Sequence, residues 1–392
     1  MNIKRFIWLR WLSEYTKPMK YDQAFWDELA ALVQPYAGAQ PEANITLDQA
    51  ARQRAAEAQA RAFFEQSVAI SLTSEQERIA RWIEAHLEAR RLFIVSGLPG
   101  MAKSGILAHI CELIKSSRYY VFVNVQAEQL DQYGKSQMFF KVARTAGSVI
   151  RQICEELGLI GHTTIADQLR AIEGQQDNFV LIINRPDLLP PHELHNLLSY
   201  LNHLTHPRII LTTTHDLGIP SAEVLKVPEL TEEQSKAVVE QARCRASTSD
   251  CRPLSEETFR ALYQLTGGVP LALAMLGTYL ATHPIKQARI ALKNAQPPFD
   301  ALYEYVFNPT WQQLSENGRE LLRYLATKRT AQLSEHQLSR RDLGADVGKA
   351  IDEVGRYNLV KIEPTDETRY VRLQPLLHTA LRSGIFERRR AS

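Results

Sequence analysis

The stretch Leu92-Phe93-Ile94-Val95-Ser96-Gly97-Leu98-Pro99-Gly100-Met101-Ala102-Lys103-Ser104-Gly105-Ile106-Leu107 decides how the rest of the chain is read. Leu92 to Val95 form an apolar run that passes directly into a turn rich in glycine and proline, and from Gly105 a helical pattern begins. Strand, loop and helix in this order, with the spacing G-x-x-x-x-G-K-[S/T], make a phosphate cradle. Backbone N–H groups and the helix N-terminus face the anion, and the lysine adds a mobile positive charge. Lys103 fills the lysine position for the β- and γ-phosphates, and the Ser104 hydroxyl can sit on a magnesium ion. One position departs: Ala102 stands where a glycine normally precedes the lysine. A left-handed backbone there costs a non-glycine residue about 1 kcal/mol or more. The added methyl group also crowds the phosphate, which weakens binding without forbidding it. The candidate phosphate-holding residues are Gly97, Gly100, Ala102, Lys103, Ser104 and Gly105.

Working outward, strand-like apolar runs occur at 92–95, 119–125, 179–183 and 208–213, with helical patterns between them. Short apolar strands separated by helices predict a parallel sheet covered on both faces, here over residues 91–225. Upstream, Thr73-Ser74-Glu75-Gln76-Glu77 is a capping box ahead of a helix whose Ile79, Trp82, Ile83 and Leu87 share one face. Residues 1–90 otherwise read as a helical extension, with helical patterns at 6–15, 21–33 and 46–65 and a proline-containing linker between the last two. Residues 226–300 carry no sheet signal and predict a small helical domain. Residues 301–392 give three helices and then Val360/Ile362 and Tyr370/Val371/Leu373 flanking a polar turn, the order of a winged helix.

A phosphate loop that handles magnesium needs an acid at the end of a second buried strand. The strand at 179–183 ends instead in Asn184-Arg185-Pro186-Asp187. Asn184 can ligate magnesium weakly through its carbonyl, together with Ser104, but it carries no charge and cannot act as a general base. Asp187 arrives three residues late and serves only if the loop folds back. Asn184 and Asp187 are the catalytic candidates, and fast hydrolysis is not expected.

Composition sets the outer limits. In 392 residues, 45% are hydrophobic and 23% charged, the balance of a multidomain globular protein. A formal net charge of +2 advertises neither nucleic acid nor an anionic membrane as partner. Cys111, Cys154, Cys244 and Cys251 match no zinc spacing and read as reduced thiols, which suits a cytoplasmic protein. No apolar run is long enough to span a membrane. The basic, aromatic start Met1-Asn2-Ile3-Lys4-Arg5-Phe6-Ile7-Trp8 lacks the marks of a cleaved signal.

The order of motifs resembles the NB-ARC type of signal-transducing P-loop NTPase, the STAND class. "GLPGMAKSGIL" is similar to its phosphate loop, "FVLIINRPD" occupies the place of its Walker B strand, and "PRIILTTTHDLG" that of its sensor strand. "VPELTEEQSKAVV" and "LYQLTGGVPLALAMLGTYL" resemble the helical domain, and "RYVRLQPLLHTAL" the winged-helix segment. The resemblance implies an α/β P-loop NTPase domain, then a small helical domain and a winged-helix domain. It implies bound ATP or ADP, with or without magnesium, and it puts Pro270 against adenine. His215 would stand at the sensor position, in place of arginine, and Gln374 at the phosphate-touching position, in place of histidine. Read on their own, His215 is equally a surface loop histidine, Gln374 a residue that satisfies local backbone, and Pro270 a helix starter.

Three functions follow. The first is a nucleotide-binding regulator or scaffold in signalling or defence, with hydrolysis weak or absent, that binds another protein or itself through the N-terminal helices. The second is an ATP-dependent DNA-binding protein of the initiator or transposition-regulator kind; its recognition helix carries Asp346, Lys349, Asp352, Glu353 and Arg356, a net negative face of the wrong sign for DNA. The third is an active ATPase switch in which Asp187 or Glu193 replaces the missing acid.

Overall fold

The computed structural model describes residues 74–388 except 116, 140–141, 160, 176–178, 248–252, 329–331 and 341–345. All of these lie in the compact unit Asp48–Ser392. The helical patterns expected at 6–15, 21–33 and 46–65 lie outside the described residues.

Five parallel strands form the central sheet: β1 (Leu92–Ser96), β2 (Tyr119–Asn124), β5 (Phe179–Asn184), β6 (Arg208–Thr213) and β7 (Glu223–Lys226). Their spatial order is β2-β5-β6-β1-β7. Every residue of β1, β2 and β5 is buried, as expected for continuous apolar strands with helices on both faces. The register does more than hold the sheet together. It pairs Asn124 with Asn184, Asn184 with Thr212, and Ser96 with Thr213, so a row of polar residues lines the carboxyl edge. Ligands of open α/β sheets bind outside this edge.

Helices α1 (Ser74–His86) and α2 (Lys103–Ile114) pack together beside the sheet. A small antiparallel hairpin, β3 (Glu128–Leu130) with β4 (Ser136–Met138), follows β2. The sequence did not signal this hairpin, because its strands have three residues each and little apolar content. Strand β7 was also missed, since its four residues hold only Val224 and Leu225 as an apolar run. Helix α3 (Ala146–Glu156) starts at a capping box of Thr145 and Ser148, and α4 (Ile165–Glu173) and α5 (Pro191–His203) complete the layers.

Beyond the sheet the chain is helical. Helices α6 (Glu232–Ala246), α7 (Glu256–Thr266), α8 (Pro270–Leu280) and α9 (Ile285–Lys293) lead to α10 (Phe299–Gln313). Helix α8 is apolar on nearly every side and sits in the core, where it packs most extensively against α6. Gly277 permits this: a Cβ there would stand 2.4 Å from the Val239 carbonyl oxygen.

The last segment comprises α11 (Glu316–Thr327), β8 (Leu333–Ser334), α12 (Glu335–Ser339) and α13 (Val347–Arg356), then strands β9 (Val360–Pro364) and β10 (Arg369–Leu373) and helix α14 (Pro375–Arg382). A short helix, α15 (Ile385–Arg388), follows. Strands β9 and β10 form the hairpin read from the alternating residues, with Val371 opposite Ile362. Cys111 and Cys154 are free buried thiols. Cys244 is disulfide-bonded, which corrects the expectation of reduced thiols at that position; Cys251 lies outside the described residues.

Candidate phosphate-loop site

Gly97 continues β1 and donates its N–H to the Thr213 carbonyl at 3.1 Å, so the loop leaves from the polar edge of the sheet. Gly100 takes φ +83° and Ala102 φ 60°, ψ 27°. Ala102 is therefore in the left-handed region, as the missing glycine implied, and it forms the N-cap of α2 without a side-chain cap. Lys103 is buried, and its Nζ donates to the carbonyls of Gly97 at 2.5 Å and Leu98 at 2.9 Å. Burial, followed by the Arg185 charge, lowers its pKa to about 7, partly offset by Asp187.

A cavity of about 60 Å³ lies over the loop. Gly100, Ala102, Lys103, Ser104 and Gly105 line it from below, and Asn184 and Arg185 from the end of β5. Leu271 of α8, Tyr305 of α10 and Gln126 also line it. Pockets for small molecules run to roughly 300–1,000 Å³, so a whole nucleotide enters only if these lining residues move.

The Asn184 amide is already committed. Its Nδ2 donates to Asn124 Oδ1 at 2.8 Å, and its Oδ1 accepts from Thr212 Oγ1 at 2.6 Å. Asp187 is buried beneath Arg185, whose Nε donates to it at 3.0 and 3.3 Å, and it also accepts from the Thr214 N–H and hydroxyl. Burial alone would raise the Asp187 pKa, but the Arg185 charge and these hydrogen bonds hold it below the usual carboxylate range. Glu193 caps α3 by accepting from the Ala146 N–H at 2.7 Å. Neither Asp187 nor Glu193 lines the cavity.

No protein family and no curated protein matches the chain. Among solved structures, it is similar to the Walker-type ATPase PABY2304 of Pyrococcus abyssi, with 14% identity, 81% of this chain and 99% of that one covered, and a TM-score of 0.54. The fold is that of a P-loop NTPase. Weaker likenesses are to the Aeropyrum pernix ORC1 protein in complex with DNA, at 13% identity, 81% and 94% coverage and TM-score 0.36. RuvB of Thermotoga maritima follows at 15% identity, 77% and 92% coverage and TM-score 0.36.

A P-loop NTPase usually holds magnesium between the loop hydroxyl and a carboxylate on the neighbouring strand. The residues of this chain do not fit that ion. Ser104 and Asn184 both line the cavity, but among the described residues no carboxylate does, and hard divalent cations are held by carboxylate oxygens. Among the described residues, no group of three or more His, Cys, Asp or Glu side chains could hold a metal.

The other candidates lie elsewhere on the P-loop NTPase frame. His215 is buried, with its ring 4.8 Å from that of Tyr357 and its Nδ1 3.1 Å from Thr214 Oγ1. It is neither a surface loop residue nor part of the cavity lining, and burial lowers its pKa. Pro270 is buried at the first position of α8, next to Leu271, and does not line the cavity either. Gln374 is the N-cap of α14, where its Oε1 accepts from the Leu377 N–H at 2.8 Å. It lines a second, open cavity of about 750 Å³ between Gly97, Leu98 and Met101 of the loop and the α13–β10 segment.

Sequence reading missed Arg185, Gln126, Leu271 and Tyr305. Arg185 lies within the motif at the end of β5, next to the position of the missing acid. The other three carry no local signal, since only packing brings them to the loop.

Proposed function

We propose that this chain is an NB-ARC-like regulatory or scaffold protein that binds ATP or ADP and hydrolyses it weakly or not at all. The observation that carries this reading is that no carboxylate among the described residues lines the loop cavity, with Asn184 at the strand end and Asp187 committed to Arg185 and Thr214. Positioned water and a general base are what hydrolysis requires. Residues 91–225 would form the nucleotide domain, 226–300 the helical domain and 301–392 a winged-helix domain. Residues 1–90 would dock another protein or a second copy, giving an output in signalling or defence.

Tyr357 and Asn358, which join α13 to the hairpin, supply the contacts for a switch. Asn358 Nδ2 donates to the Thr214 carbonyl at 2.7 Å and to Ser96 Oγ at 3.2 Å, both at the carboxyl edge of the sheet. A change at the loop can therefore reach the last segment directly. The DNA-binding reading draws on the same three helices and hairpin. Against it, Arg356, Lys361 and Arg372 line the second cavity together with the loop residues.

The test is the nucleotide content of protein purified without added nucleotide, beside Lys103→Ala, with phosphate release measured on both. Stoichiometric ADP or ATP in the wild type only, with negligible turnover, supports the proposal. Steady turnover that is lost in Lys103→Ala would replace it with the ATPase switch. Salt-sensitive binding of duplex DNA would favour the DNA-binding reading.

A further inference from the structure

Arg185 is an unusual residue to find beneath a phosphate loop. It directly follows Asn184 at the end of β5, in the left-handed region at φ 60°. Strain of this kind persists only where the surroundings impose it. Here the Arg185 N–H is held by the Thr212 carbonyl at 3.0 Å and Thr212 Oγ1 at 3.1 Å, and Nε is held by Asp187. Only 6% of the side chain is exposed, and the residue lines the loop cavity. Nη1 and Nη2 have no hydrogen-bond partner among the described residues.

Neither Nη atom is sealed from solvent, so both donors stand ready to exchange water for a charged acceptor that enters the cavity. The other charge lining the cavity is Lys103, and the polar side chains around the two are Ser104, Gln126, Gln129, Asn184 and Tyr305, all neutral. Arg185, always charged, and Lys103, about half protonated near pH 7 and fully so beside a phosphate, favour a bare anion, with no carboxylate among the described lining residues. A divalent cation brought between them would meet repulsion from both and find only neutral oxygen ligands.

We propose that Arg185 binds the terminal phosphate of the nucleotide in the place a magnesium ion would take, so that this loop holds its nucleotide free of metal. The inference rests on the nucleotide-binding reading above and adds the form of the ligand: an uncomplexed nucleoside di- or triphosphate. Guanidinium suits the task because its planar donors can engage two phosphate oxygens at once. Asp187 takes only the Nε side and fixes the direction of the fork.

The experiment uses the full chain stripped of nucleotide and titrated with mant-ADP and mant-ATP, once in excess magnesium and once in excess EDTA. The expected result is binding in EDTA as tight as in magnesium, within about threefold, or tighter. Binding that weakens about tenfold or more in EDTA overturns the inference and leaves the nucleotide reading standing. Failure of both probes in both conditions overturns the two together. Arg185→Gln should weaken binding in EDTA by about tenfold or more, the range for a lost charge-assisted hydrogen bond; unchanged affinity in a folded variant overturns the inference. If thermal melting shows that Arg185→Gln does not fold, the paired wild-type titrations decide alone.

Discussion

Leu271 closes the phosphate loop through main chain and side chain together: its N–H donates to the Gly100 carbonyl at 3.1 Å, and its Cβ lies 2.8 Å from where a Cβ on residue 100 would stand. Gly100→Ala should therefore destabilise the protein by roughly 2–4 kcal/mol, from left-handed strain and from overpacking. In a Leu271→Gly background, which alone removes the Cβ at 2.8 Å, the overpacking part should vanish. A double-mutant cycle by urea unfolding should give a coupling of about 1 kcal/mol or more. Simple additivity would mean that Leu271 is not what the new methyl group meets.

Ala102 holds φ 60° without glycine's freedom. Ala102→Gly relieves about 1–2 kcal/mol of strain, offset by the greater freedom of glycine in the unfolded chain. The expected net gain is about 0.5–1 kcal/mol, read as a higher melting temperature without nucleotide. A loss of stability would show that the Ala102 methyl group contributes more packing than strain.

Lys103 titrates at about 7 when folded, against an ordinary lysine value of 10.5. A lowered folded pKa means that the unfolded chain binds more protons between pH 7 and 10.5, so folding stability rises with pH across that window. Below pH 7 both states are protonated and the penalty is fully present. Lys103→Met should thus be more stable than wild type at pH 7, by on the order of 2 kcal/mol, and the gap should narrow by pH 9. A gap that stays constant would mean that Lys103 is not charged and buried in the way described.

Asn358 sits at φ 58° and ties the start of the hairpin to the sheet edge through Ser96 and Thr214. Asn358→Gly keeps that backbone conformation accessible and removes both hydrogen bonds. The expected cost is about 1–2 kcal/mol. Hydrogen exchange should quicken in β9 and β10 while β1 and β5 stay protected. Uniform exchange throughout would place the tie elsewhere.

What could be read in advance follows the range of the interactions involved. The apolar runs of β1, β2, β5 and β6 announced a buried parallel sheet because strand burial is written in consecutive residues. The loop was legible because strand, turn and helix are contiguous, and Ala102 could be recognised as strained before its φ was known. The absence of an acid at Asn184 was equally local. His215 and Gln374 were placed by resemblance to a position in a motif, and position does not determine neighbours: one packs on Tyr357, and the other caps a helix.

The sequence by itself determined the sheet, the loop and the neutral residue ending β5, since each depends on residues within a few positions of one another. Only the tertiary structure decided what covers the loop. Gln126 meets Tyr305 across 179 positions, and Leu271 reaches Gly100 from a helix in another part of the chain. The tertiary structure also turned Arg185 from a residue beside a missing acid into a cation lining the cavity. Burial and partners set the chemistry of a side chain, and both come from segments that chain order does not bring together.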